Sequence, residues 1–146
     1  MRSSPTRLIL ADTGFWYAAF DQRDENHASA ISILDTVGPI PFLFPWPLCY
    51  EVLRTRFVKR QAFIQGFLHL RKAERLFDVD DTPYRTRALE AALDFSRIGK
   101  RPISLVDMVI RLVIDDGRFR IGEVITYNKG DFHDVCRSRR IPMRPT

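Results

Sequence analysis

Apolar residues along this chain fall into short continuous blocks and longer stretches with helical spacing, and the two kinds alternate from one end to the other. Leu8-Ile9-Leu10-Ala11 is an apolar block of the kind that forms a strand buried on both faces, and Asp12-Thr13-Gly14 ends it. From Asn26, the residues Ala30, Ile33, Leu34 and Val37 share one helical face until Gly38-Pro39 stops the pattern. Phe42-Leu43-Phe44 predicts a second strand. Pro47 suits the first turn of a helix, where its missing N–H is not needed, and Leu48, Val52, Leu53 and Phe57 continue one face beyond it. Another helix is predicted over about residues 61–72, and Leu76 to Val79 predicts a third strand.

In the second half, Thr82-Pro83 opens a helix that carries Ala88, Ala91, Ala92, Phe95 and Ile98 toward the core, and Gly99 closes it. Ser104 caps a helix whose Leu105, Val106, Val109, Ile110, Leu112 and Val113 are apolar on more than one side, which predicts deep burial; Gly117 ends it. Ile121 to Thr126 predicts the fourth strand, followed by the polar loop Tyr127-Asn128-Lys129-Gly130 and a last helix from near Asp131. Ile141 to Met143 predicts a fifth strand at a sheet edge, where Pro142 has no ladder bond to lose. No repeat, low-complexity tract or linker divides the chain, so one domain spanning residues 1–146 is expected. Strands alternating with helices predict an α/β fold, a mostly parallel sheet of four or five strands with helices on both faces.

Composition narrows the class. Hydrophobic residues at 45% and charged residues at 28% are globular values rather than those of a disordered chain. The 23 Lys and Arg outnumber the 18 Asp and Glu, giving a net charge of +5 and a pI near 9.6, a balance that suits a polyanionic partner and equally serves solubility. The two cysteines, Cys49 and Cys136, lack the paired spacing of zinc sites or disulfide frameworks and read as reduced thiols. The basic stretch from Met1 to Arg7 carries no signal-peptide pattern, and the most apolar segment, Pro39 to Tyr50, is broken by four prolines and far shorter than a bilayer span. A cytoplasmic protein without a membrane segment is expected.

Open parallel sheets bind ligands at the carboxyl ends of their strands, and Asp12 lies at such an end. Thr126 and Asn128 lie at the end of the fourth strand, while Glu51 and Asp107 are expected in the first turns of helices packed beside the sheet. A carboxylate among apolar neighbours is costly unless it is paired or binds a cation. Asp12, Glu51 and Asp107 around one Mg²⁺ or Mn²⁺ would satisfy all three, and such an ion can bridge substrate phosphates and prepare a hydroxide for in-line attack. Each residue also has a purely structural explanation. Ser104-x-x-Asp107 resembles a capping box with Arg111 one turn on as an ion-pair partner, Glu51 stands at helical spacing from Arg54 and Thr55, and Asp12 and Asp131 suit helix N-caps.

What separates these alternatives is the set and its order. The strand ending in Asp12-Thr13-Gly14, the Asp21 to His27 stretch leading into a helix, Glu51 in Leu48-Cys49-Tyr50-Glu51-Val52, Asp107 in Ser104-Leu105-Val106-Asp107, and Ile125-Thr126-Tyr127-Asn128-Lys129-Gly130-Asp131-Phe132 together resemble a PIN domain. Within that family the chain is most similar to the VapC-type toxins of bacterial toxin–antitoxin pairs. The resemblance spans nearly the whole chain. It implies a Rossmann-like α/β/α three-layer sandwich and magnesium-dependent cleavage of RNA, with Asp12 and Asp107 as principal metal ligands and Glu51 completing the acidic cluster. It also implies a small antitoxin protein that blocks the acidic pocket, and homodimerisation. The family's fourth acidic position is occupied here by Asn128, with Asp131 nearby. One charge fewer favours a single firmly held metal, with Thr126 and Asn128 orienting the cluster.

For RNA phosphates the chain offers Arg54, Arg56, Lys59 and Arg60 after Glu51, and Lys129, Arg137, Arg139, Arg140 and Arg144 beyond Asn128; a solvated helix face and a basic tail account for the same residues. Of these, Arg54, Arg56, Lys129 and Arg137 are the leading RNA-binding candidates. Trp16, Tyr17 and Trp46 suit base stacking or the core. His27, His69 and His133 are isolated and have no triad context. The Asp-x-Asp-x-Thr pattern of haloacid-dehalogenase-like phosphatases is absent, and Asp12-Thr13-Gly14-Phe15 lacks the glycine-rich turn of a dinucleotide site. The remaining rival is a non-catalytic PIN-like domain that binds RNA or a protein.

Overall fold

A computed structural model describes residues 7–98 and 102–145. Five strands, β1 (Leu8–Ala11), β2 (Phe42–Pro45), β3 (Leu76–Val79), β4 (Ile121–Ile125) and β5 (Met143–Arg144), form one sheet in the order β3-β2-β1-β4-β5. All four ladders are parallel. The sheet expected to be mostly parallel is therefore wholly so, and the two strands that read as continuous apolar blocks, β1 and β2, lie inside it with almost no exposure. The helices are α1 (Thr13–Phe20), α2 (His27–Val37), α3 (Trp46–Val52), α4 (Thr55–Val58), α5 (Gln61–Lys72), α6 (Arg85–Arg97), α7 (Leu105–Asp116) and α8 (His133–Ser138).

This order fixes where a site belongs. From β1 the chain steps outward to β2 and β3, then returns past β1 to β4 and β5. Right-handed crossovers then place α1–α5 on one face and α6–α8 on the other, and the crevice opens where the direction reverses, between the carboxyl ends of β1 and β4. The register pairs Ala11 with Ile125, so the next residues, Asp12 and Thr126, emerge side by side into that crevice. Across it α3 packs against α7, and these two helices carry Glu51 and Asp107.

Several elements depart from the sequence reading. Thr13–Phe20 forms a helix that periodicity did not reveal, because Phe15, Trp16, Ala18 and Ala19 are all buried and an all-apolar helix has no polar face to mark its period. The single helical face traced from Pro47 to Phe57 breaks at Leu53 and Arg54 into α3 and α4, so Glu51 lies in the last turn of α3 and not in a first turn. Thr126 lies just beyond β4 instead of within it, and β5 is Met143–Arg144 rather than Ile141 to Met143, although it is the edge strand expected. Asp131 ends a 3₁₀ turn over Lys129–Asp131 and does not cap α8, whose first residue is His133. On α6 only Ala88 is fully buried and Ile98 is exposed; the predicted stop at Gly99 lies outside the described residues. Trp16 belongs to the core, where its ring meets Phe15, Phe42 and Phe44 edge-on and stacks on Phe20. Cys49 and Cys136 are both free thiols. Among the described residues no helix is long and apolar enough to cross a membrane.

Candidate acidic site

The site is built outward from β1. Asp12 caps α1, accepting the Phe15 N–H on Oδ1 at 3.2 Å, and the Thr126 hydroxyl donates to its Oδ2 at 2.6 Å. The backbone ties the same two strand ends together, with the Asp12 N–H donating to the Ile125 carbonyl at 3.2 Å. Asp12 is thus a cap, as one reading of the sequence had it, and also points its second oxygen into the crevice. Thr126 is fully buried, and its Oγ1 also accepts the Asn128 N–H at 2.9 Å, so one hydroxyl fixes both Asp12 and the loop after β4.

Glu51 reaches the crevice from the end of α3, where the Thr13 hydroxyl donates to its Oε2 at 2.5 Å and the Tyr17 hydroxyl donates to its backbone carbonyl at 2.7 Å. Neither Arg54 nor Thr55 is its hydrogen-bond partner. Asp107 stands in the first turn of α7, its N–H donating to Ser104 Oγ at 3.1 Å. This completes the cap at the start of α7 while the carboxylate faces the other acids. Arg111, one turn on, forms no pair with Asp107. It holds Asp134 with two bonds of 2.6 and 2.7 Å and donates to the Asp131 carbonyl at 2.7 Å, which anchors the 3₁₀ turn to α7. Asp131 is buried, and Asn128 Nδ2 donates to its Oδ2.

Asp12, Glu51, Asp107 and Asp131 feel one another electrostatically. Burial pushes the Asp12 carboxyl above the usual carboxylate range, the Asp131 and Glu51 charges push the same way, and the bonds from Thr126 and Phe15 offset part of the effect. Asp107 is pushed up to about 6, first by burial and then by Asp12, Asp131 and Glu51. Perturbation of this kind, a cluster of like charges in a crevice, marks functional sites more often than structural ones.

The donor set is made of hard oxygens and suits a divalent cation such as Mg²⁺ or Mn²⁺, whose charge would offset the burial and like-charge repulsion that raise Asp12 and Asp107. As placed, however, no three His, Cys, Asp or Glu side chains among the described residues stand close enough to hold a metal ion. Four oxygens of the cluster are instead held in hydrogen bonds, both of Asp12 by Phe15 and Thr126, one of Glu51 by Thr13 and one of Asp131 by Asn128. Thr13 is the positioning group that sequence reasoning passed over, and a hydroxyl directly after a strand-end carboxylate was the available signal for it; Tyr17 and Arg111 were named for other roles, base stacking or the core and a pair with Asp107, and instead hold the Glu51 carbonyl and the turn before α8.

The basic candidates lie at the rim. Arg54 and Arg56 are exposed around the start of α4; the guanidinium of Arg56 covers the Phe57 ring, and Arg54 stands beside the Tyr17 hydroxyl. Arg60 is bound to Asp21 at 3.1 Å and Arg144 to Glu123 at 2.9 Å, which commits both elsewhere. Lys129 is half-buried in the 3₁₀ turn, and Arg137 is exposed in the last turn of α8. Trp46 stays exposed beside Tyr50, whereas Tyr17 is stacked on Phe57. Of the histidines, His27 is bonded to the Ala18 carbonyl, and none enters the acidic cluster.

No family model and no curated protein matches this sequence. Among solved structures, the Mycobacterium tuberculosis toxin VapC20, described as a Sarcin-Ricin loop cleaving toxin, superposes with a TM-score of 0.64 over 86% of this chain and 94% of that one. The fold is PIN-like. At 19% identity the PIN-like likeness is one of architecture, and it matches the parallel sheet and flanking helices described above.

Proposed function

We propose that this PIN-like chain is a metal-dependent endoribonuclease and the toxin of a toxin–antitoxin pair. The observation that carries the reading is the meeting, at the switch point of the sheet, of Asp12 with Thr126, and the electrostatic coupling of Asp12 to Glu51, Asp107 and Asp131. A structural neighbour described as a Sarcin-Ricin loop cleaving toxin supports it.

Asp12 and Asp107 would hold Mg²⁺ or Mn²⁺, with Glu51 completing the set once its carboxylate leaves Thr13. When bound, such an ion neutralises the phosphate and lowers the pKa of a coordinated water. Glu51 would orient the attacking water or take its proton, while Thr126 holds Asp12 in place and Asn128 keeps Asp131 turned toward the cluster. Water adds across the P–O3′ bond; its hydroxyl stays on phosphorus, leaving a 5′-phosphate on one product and a 3′-hydroxyl on the other. Arg54, Arg56, Lys129 and Arg137 hold flanking phosphates. A small antitoxin protein that covers the acidic crevice and a homodimeric state belong to the same proposal.

One pair of observations favours a second reading, a PIN-like domain that binds RNA without cutting it: Asn128 replaces an acid, and no three ligating side chains converge among the described residues. Cleavage of total cellular RNA in Mg²⁺ or Mn²⁺, beside EDTA and the Asp12→Asn protein, separates the two. Discrete fragments that require both the metal and Asp12 support the nuclease. RNA that stays intact but bound, equally in EDTA, supports the binding module.

A further inference from the structure

Beside the acidic cluster lies a second feature that the hydrolytic chemistry leaves unused. A cleft of about 590 Å³ opens between the end of α6, the start of α7 and the 3₁₀ turn before α8. Two of its walls belong to elements that also carry acids of the cluster. Its α7 wall holds Arg111, one helical turn beyond Asp107, and its opposite wall is the turn whose last residue is Asp131. Its volume falls within the roughly 300–1,000 Å³ of small-ligand sites.

The lining divides by chemistry. Phe95 and Ile103 give an apolar wall, while Lys129 and His133 bring nitrogen groups to the rim. Arg111 also lines the cleft, but its charge is spent on Asp134 at 2.6 Å, and its guanidinium lies 5.9 Å from the centre of the Phe95 ring. Arg111 is therefore largely buried against Phe95 and, with Asp134, which also lines the cleft, forms a closed ion pair rather than an open cationic site. An apolar wall beside a rim that carries the Lys129 ammonium and the His133 ring matches the parts of a nucleotide, whose base is flat and weakly hydrated and whose phosphate is anionic.

We infer that this cleft is a nucleotide subsite, which receives one unstacked base of the RNA strand against Ile103 and Phe95 while Lys129 and His133 hold its phosphate. The inference rests on the reading of the chain as an RNA-processing protein, and it assigns to the cleft a base next to the bond at the acidic cluster. Selectivity for unpaired RNA follows, because a base stacked within a duplex cannot enter.

The test is an NMR titration of the isotope-labelled full chain in EDTA with adenosine 5′-monophosphate and, separately, with inorganic phosphate. The monophosphate is expected to shift the Ile103 methyl and His133 ring signals, and phosphate alone to leave the Ile103 methyl unmoved. The His133→Ala and Lys129→Gln proteins, both altered at the rim, are expected to need several-fold more nucleotide for the same Ile103 shift. An Ile103 methyl that fails to respond to the nucleotide, or responds equally to phosphate, overturns the inference. Cleavage that depends on Asp12 without an Ile103 response would sink the subsite and leave the nuclease standing. An Ile103 response in a protein that cuts no RNA would keep the subsite and sink the nuclease.

Discussion

Replacing Asp107 by asparagine is expected to make the protein more stable while removing the RNA cleavage proposed above. The carboxyl is pushed from 3.8 up to about 6 by burial and by three neighbouring acids. A shift of that size corresponds to about 3 kcal/mol of unfavourable free energy for the ionised form, and partial exposure to screening water reduces it to about 1–2 kcal/mol. The sign follows from proton uptake. Between about pH 4 and pH 6 the folded protein binds more protons at Asp107 than the unfolded chain does, so this group's contribution to stability falls as pH rises through that window. Asparagine has nearly the same shape and does not ionise. At pH 7.5 in EDTA the Asp107→Asn protein should therefore melt higher by roughly 3–6 °C, for a domain of this size. The gap should close toward pH 4, where the native carboxyl is protonated as well. Thermal unfolding followed by circular dichroism from pH 4 to pH 8, on both proteins in parallel, measures the difference and cancels the titrating groups outside the cluster. An equal or lower melting temperature at pH 7.5, or a gap that does not change with pH, would refute the electrostatic account of the cluster.

Thr126→Val keeps the volume of a fully buried residue but removes the hydroxyl that donates to Asp12 and accepts from Asn128. Loss of one charge-assisted and one neutral hydrogen bond predicts a destabilisation of roughly 2–3 kcal/mol in urea denaturation, with RNA cleavage lost well below the melting temperature and restored by Thr126→Ser. Gly66→Ala places a methyl 2.6 Å from the Phe20 ring, where α5 meets α1; overpacking outweighs the gain in helix propensity, and denaturation should show a net loss of about 1–2 kcal/mol. A Gly66→Ala protein as stable as the parent would mean that Phe20 moves aside without resistance.

Strand positions were legible because a parallel sheet buries both faces, so β1 and β2 stand out as unbroken apolar blocks whatever surrounds them. The same property hid α1, since Phe15, Trp16, Ala18 and Ala19 present no polar side by which a helix could be told from a strand. Asp12 and Thr126 were legible as strand-end residues, and the order of the sheet turns that into adjacency across 114 positions. The partners of Glu51 were not legible. The break at Leu53 and Arg54 moved Glu51 to the end of a short helix, and its bond to Thr13 exists only because α3 packs on α1. Arg111 shows the limit of local spacing: four residues after Asp107 it suggested a helical ion pair, yet Asp134, 23 positions further on, outcompetes Asp107 with two oxygens at bonding distance.

The central place of β1 has a consequence for how the chain is made. Asp12 leaves the ribosome 114 positions ahead of its hydroxyl partner Thr126, and well ahead of the turn that holds Asp131. With β4 missing, the middle strand of the finished sheet is an edge, and the crevice has only one wall. The acidic cluster therefore has no existence on a growing polypeptide until β4 and the turn after it have been made. Two separately expressed pieces, divided in the loop between β3 and α6, would each be inert for the same reason and should acquire the site only on meeting.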